Sequence, residues 1–131
     1  MLLANLFGVT QPLALVLYEK LMPGSQLVNR LQDLHYRVEI LSDPDQLGLA
    51  ARSDGPMLVF TDLDSRRADI CAAISQLKQD PVTAHIPVIA FANERARQLQ
   101  TAGRQAGATL VVTDTALLPH LDHLLEQALQ V

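Results

Sequence analysis

The sequence predicts an α/β fold: a doubly wound, parallel five-stranded sheet in strand order 2-1-3-4-5, with helices on both faces. Three observations predict it. Five short apolar runs recur along the 131 residues. Segments with apolar residues at helical spacing separate them, so the chain reads as five β-then-α units, and such units build parallel sheets. Most of the runs are apolar almost throughout, as strands buried on both faces are. Right-handed crossovers join units of this kind.

The elements follow in order. Residues 12–20, PLALVLYEK, form the first run. Residues 23–36 read as a helix with Leu27, Val28, Leu31 and Leu34 on one face, and Pro23, Gly24 and Ser25 suit its first turn. Residues 37–43 alternate through Val38 and Ile40 like a strand with one wetter face. Residues 44–55 make a short helix closed by Gly55. The third run is 57–62, MLVFTD. In the next helix, 67–80, Ile70, Ala73, Ile74 and Leu77 share a stripe. The fourth run spans 85–93, with Pro87 near its start, where a strand residue need not donate. Residues 94–107 make a polar, Arg-rich helix with a thin apolar side. The fifth run is 108–114, and a last helix, 116–130, aligns Leu117, Leu121, Leu124, Leu125 and Ala128.

One domain accounts for residues 1–131, with 1–11 as an extra N-terminal segment, either packed on it as a strand, turn or tail or serving as an interface element. Apolar residues make up 49% of the chain and charged residues 18%, too apolar for disorder. A formal net charge of −4 argues against general nucleic-acid binding, which needs clustered Lys and Arg. The first residues lack the basic start of a signal peptide, and no stretch reaches the roughly 20 apolar residues of a membrane span. A single cysteine, Cys71, excludes an intrachain disulfide and fits a reducing compartment. The expected setting is the cytoplasm, with neither a membrane nor a nucleic acid as partner.

In open α/β sheets, ligands bind beyond the carboxyl ends of the strands, where the strand order reverses. In the predicted order the first and third strands end side by side. Their ends carry Tyr18, Glu19 and Lys20, and Asp62, Leu63 and Asp64. The neighbouring ends supply Ala92 and Asn93, then Thr113, Asp114 and Thr115. Glu19 is therefore expected to share a crevice with Asp62.

Three stretches here resemble a known family, the receiver domains of two-component response regulators. PMLVFTDLD (56–64) is similar to the strand that ends on the family's phospho-accepting aspartate. LKQDPVTAHIPVIAFAN (77–93) is similar to the link into its fourth strand, and AGATLVVTD (106–114) to the turn into its fifth. The resemblance covers almost everything after residue 12 and implies a flavodoxin-like, receiver-like fold. It places Asp62 at the phospho-acceptor position. Of two adjacent acids after the family's first strand, Tyr18 and Glu19 retain one. Ala92 stands where the family has Thr or Ser, and Asp114 and Thr115 stand where it has Lys and, usually, Pro. By resemblance the chain is thus a degenerate, atypical receiver, or pseudo-receiver.

The substitutions have physical consequences. The family's acids hold Mg²⁺, a hard cation that takes oxygen ligands and keeps several waters. By that resemblance Glu19 and Asp62 are the residues for a weak Mg²⁺ site, and no other cofactor is implied. Ala92 lacks the hydroxyl that bonds the phosphoryl group and moves the switch. Asp114 replaces a cation by an anion. Two unit charges about 4 Å apart interact by roughly 4 kcal/mol at an effective dielectric near 20, so an inward Asp114 would oppose a phosphate on Asp62. If Glu19, Asp62 and Asp114 converge, either one keeps its proton or a cation joins them, Mg²⁺ or Ca²⁺; otherwise they are separately hydrated. Lys20 either leans over this site or stays in water, and Arg66 and Arg67 either pair with Asp64 or a phosphate or begin a solvated helix.

Other candidates weigh less. His120, His123 and Glu126 recur at helical spacing on the last helix but lack a further strong ligand, and exposed positions opposite the leucine stripe account for them. His35 and His85 suit turns. Cys71 flanks a core stripe and reads as a packed residue. No G-x-G-x-x-G or Walker pattern occurs, which counts against a nucleotide enzyme. Arg95, Arg97 and Arg104 lie on the polar fourth helix. By resemblance, the surface of the fourth helix, fifth strand and last helix is where partners or a second copy dock; a solvated helix explains the arginines as well.

The functional expectation is a stand-alone receiver-like protein of phosphorelay signal transduction. It would act by contacts with a histidine kinase, a downstream effector or itself, with phosphorylation at Asp62 weak or lost. It would not be an enzyme beyond self-phosphorylation at Asp62. A phosphorylation-competent receiver fed by a histidine kinase is one alternative; a flavodoxin-like small-ligand binder is another, disfavoured by the missing phosphate loop and an aromatic content of 4%.

Overall fold

A computed structural model describes residues 11–64 and 69–130, apart from the side chain of Leu21. Residues 1–10 of the expected N-terminal segment, with Arg66 and Arg67, lie outside the described residues. The predicted sheet is present. Its strands are β1 (Leu13–Leu17), β2 (Arg37–Leu41), β3 (Leu58–Asp62), β4 (Val88–Ala92) and β5 (Leu110–Thr113). They lie in the order β2-β1-β3-β4-β5, and every neighbouring pair is parallel. The helices are α1 (Leu21–Asp33), α2 (Leu47–Asp54), α3 (Ile70–Gln79), α4 (Arg97–Ala106), α5 (Asp114–Leu117) and α6 (Leu121–Leu129), with a 3₁₀ turn at Pro44–Gln46 before α2.

Side chains alternate across a strand, so a strand covered on both faces is apolar at most of its positions. β1, β3 and β4 are buried along their whole length. Leu15, Val59, Val88 and Ala90 face α2 and α3, where Leu47, Ile74 and Leu77 complete one core. Ala14, Val16, Phe60, Ile89 and Phe91 face the other way, onto Leu27 and Leu31 of α1 and Leu117, Leu121 and Leu124 of α5 and α6. Burying each large apolar side chain stabilises the fold by about 2 kcal/mol. The edges are wetter: β5 is half-buried, and Ile40 in β2 is exposed.

Local chemistry sets the ends of the elements. Gly55 closes α2 in the left-handed region, at φ 59°, as its position predicts. The Asp69 carboxylate accepts the Ala72 N–H and caps α3. Several boundaries differ from expectation, and three have a clear local cause. The last helix divides into α5 and α6 around Pro119, which has no N–H to donate and whose ring crowds the preceding turn. Both pieces still turn their leucines inward. β5 ends at Thr113, not Asp114, because the Thr113 hydroxyl accepts the Ala116 N–H and starts α5. α4 starts at Arg97, not residue 94: Asn93 Oδ1 accepts the Arg95 N–H and the Asn93 carbonyl accepts that of Ala96, holding a turn first.

Candidate functional site

The reversal of strand order falls between β1 and β3, where the predicted crevice forms. Leu17 pairs with Thr61, so Tyr18 follows β1 level with Asp62, the last residue of β3. Tyr18, Glu19, Ser42, Asp62, Asp64 and Ile70 line the crevice. Glu19 and Asp62 thus share it, as expected from the topology.

Asp62 is buried, with 6% of its surface exposed. Burial pushes its carboxyl above the ordinary range, since a charge is costly away from water. The Asp64 N–H, which donates to Asp62 Oδ1 at 3.0 Å, and the Lys20 charge pull the other way. The charges of Asp64 and Asp114 add to the upward shift. Asp62 is therefore a carboxylate held partly against its preference for charge.

Lys20 reaches across the mouth. Its Nζ lies 2.6 Å from Asp64 Oδ2, with both side chains about half exposed (53% and 50%). The hydrogen bond to Asp64 raises the Lys20 pKa; burial opposes this, and the charges of Asp62, Asp64 and Asp114 reinforce it. Of the two readings of Lys20, the one in which it leans over the site describes the structure.

The remaining predicted positions sit around this centre. Tyr18 packs partly onto the α1-side core. Ala92 is buried at the end of β4, opposite Thr113, and presents only a methyl group. Asp114 opens α5 and borders a neighbouring hollow of about 280 Å³ with Met22, Pro23, Gln26, Asn93 and Thr115. Thr115 donates to Glu94 Oε1 at 2.5 Å, tying the loop after β4 to the end of β5. Sequence reasoning had no signal for that tie, because the partners are 21 residues apart. On α4, Arg95 lies just before the helix and Arg97 and Arg104 lie in it; all three are exposed. None of their side chains pairs with another described residue.

The donor set for a divalent metal is thin. Among the described residues no three His, Cys, Asp or Glu side chains gather as a metal site would need. Residues 65–68, SRRA, contain none of these types. Glu19, Asp62 and Asp114 therefore do not form a three-carboxylate cage, and His120, His123 and Glu126 form no cluster either.

No protein-family model matches the sequence, and no curated protein matches it. Solved structures match by fold. The chemotaxis response regulator CheY4 of Vibrio cholerae is similar at a TM-score of 0.72 and 17% identity, over 87% of this chain and 98% of that one. The receiver domain of a signal transduction histidine kinase from Syntrophus aciditrophicus is similar at 0.74 and 20%, over 92% and 94%. That of a DNA-binding response regulator from Colwellia psychrerythraea 34H is similar at 0.73 and 21%, over 88% and 99%. The chain has the flavodoxin-like fold of response-regulator receiver domains. Among the described residues, no helix is long and apolar enough to cross a membrane.

Proposed function

We propose that this chain serves phosphorelay signalling as a receiver-like module that acts through protein–protein contacts, with phosphoryl acceptance at Asp62 weak or lost. One observation carries the reading. Asp62 ends β3 in the crevice, but the groups around it are Ala92, without a hydroxyl, and Asp114, whose negative charge disfavours further charge at Asp62. A phosphoryl group there would add about −2 charges beside existing carboxylates, and among the described residues the Lys20 ammonium is the cation that reaches over the crevice to offset them. The exposed arginines near and on α4 support a docking surface for an acidic partner, whether a histidine kinase, an effector or a second copy.

A second reading, a receiver that accepts phosphate from a histidine kinase, is favoured by the burial of Asp62 and by Glu19 in the same crevice. The donor's P–N bond would break as a P–O bond forms at the Asp62 carboxylate. Glu19 and Asp62 would then hold a weak Mg²⁺. Intact mass after incubation with acetyl phosphate, with and without Mg²⁺, separates the two. The first reading expects no phosphoryl adduct on folded protein. A Mg²⁺-dependent adduct that disappears in Asp62→Asn would replace it with the second.

A further inference from the structure

Glu19, Asp62 and Asp64 line the crevice, and the charge of Asp114 acts on Asp62 from the neighbouring hollow. Such a group needs a proton or a cation among its members. The residues present do not suit a divalent ion well, because Mg²⁺ asks for near-octahedral oxygen ligands and, among the described residues, no three His, Cys, Asp or Glu side chains are placed to hold one ion together. They do suit an ammonium, a compact charge with three donors on a flexible stem. Lys20 leaves the end of β1 and places its Nζ 2.6 Å from Asp64 Oδ2, beyond the end of β3. Its charge also acts on Asp62 and Asp114.

We propose that the Lys20 ammonium is a resident counter-cation for Asp64 and Asp62, filling the role a divalent metal would otherwise take there and repelling that metal. The charge balance of the site is then built into the chain and does not follow the free Mg²⁺ concentration. The same contact latches the loop after β3 to the end of β1, where the strand order reverses. Because the pair is half exposed, it adds little to stability, so removing it leaves the fold intact and takes the ammonium away from Asp64 and Asp62. The inference concerns the same crevice as the signalling reading but needs no phosphodonor or partner, so the two can fail separately.

The test is a MgCl₂ titration at constant ionic strength, followed by the backbone amide resonances of residues 62–64. Wild type, Lys20→Gln, Lys20→Arg and Lys20→Gln combined with Asp62→Asn are compared, and amide dispersion reports that each is folded. Lys20→Gln is expected to bind Mg²⁺ at least about tenfold tighter than wild type. Lys20→Arg, which keeps the charge, is expected to match wild type, and the double variant to lose the gain. Wild type binding as tightly as Lys20→Gln, no gain in Lys20→Gln, or a gain that survives Asp62→Asn would each overturn the proposal.

Discussion

The ring of Tyr18 lies against Gly24: a Cβ on Gly24 would stand 2.3 Å from Tyr18 Cδ2 and 2.5 Å from Cε2. Only a residue without a side chain allows α1 to approach β1 this closely. Tyr18 stands where the resembled family carries an acid, and its ring is packing against a helix. Gly24→Ala is expected to destabilise the fold by about 1–3 kcal/mol, the cost of forcing an extra carbon into a filled space. Removing the ring should relieve the clash. In a denaturant double-mutant cycle, Gly24→Ala should cost much less in a Tyr18→Ala background; equal costs in both would show that the contact is not what constrains Gly24.

The buried Asp62 makes a prediction about pH. Its folded-state pKa is raised above the ordinary 3.8, chiefly by burial. A raised carboxyl pKa contributes stability that is present below the unfolded value and lost as pH rises through the folded value. At neutral pH the wild type therefore carries a buried charge that it would hold more easily in water. Asp62→Asn keeps an oxygen to accept the Asp64 N–H and removes that charge. It should raise stability at pH 7 on the order of 1 kcal/mol, with the difference shrinking as pH falls toward 3.8. Urea unfolding at pH 7 and pH 4 measures it, and a variant less stable than wild type at pH 7 would contradict the burial argument.

The fold was legible because its signals are local and repeated. The runs through Leu15, Phe60 and Ile89 had no polar face, and the leucines from Leu117 to Leu125 kept their stripe even though Pro119 divides the helix. Asp62 was legible as the polar end of a buried strand. The rest depended on contacts between distant residues. Nothing near Tyr18 in sequence says that its ring turns toward Gly24. Lys20 and Asp64 are 44 positions apart and meet only because β1 and β3 are neighbours. Thr113 could extend a strand or cap a helix, and the backbone beyond it decided for the cap.

Thr83 tests the link between α3 and β4. It is 1% exposed, and its hydroxyl donates to the Leu77 carbonyl at 2.7 Å, in the last turn of α3. That carbonyl is among the helix-end groups that need a partner from outside the helix. Thr83→Val preserves shape and removes the donor, so a loss of about 1–2 kcal/mol is expected. Thr83→Ser keeps the hydroxyl and should recover part of it. Thermal unfolding of the three proteins reads the difference; an unaffected Val variant would mean the carbonyl finds water instead.

The chain has two lysines, Lys20 and Lys78, and the structure sets them on opposite sides of 10.5, the ordinary lysine value. Lys78 lies in the last turn of α3, partly buried, with Nζ donating to the carbonyls of Ile86 at 2.6 Å and Ala84 at 3.3 Å. Burial lowers its pKa, while the Asp64 contact raises that of Lys20. Lys78 thus contributes stability that is present above 10.5 and lost as pH falls through its folded value; Lys20 contributes below 10.5 and loses it as pH rises through its own. With the side-chain Cε carbons labelled, NMR should show two titrations, Lys78 deprotonating first and Lys20 last. Asp64→Asn should move the Lys20 midpoint down and leave Lys78 where it is. Coincident midpoints in the wild type would show that neither the contact to Asp64 nor the burial of Lys78 persists in solution.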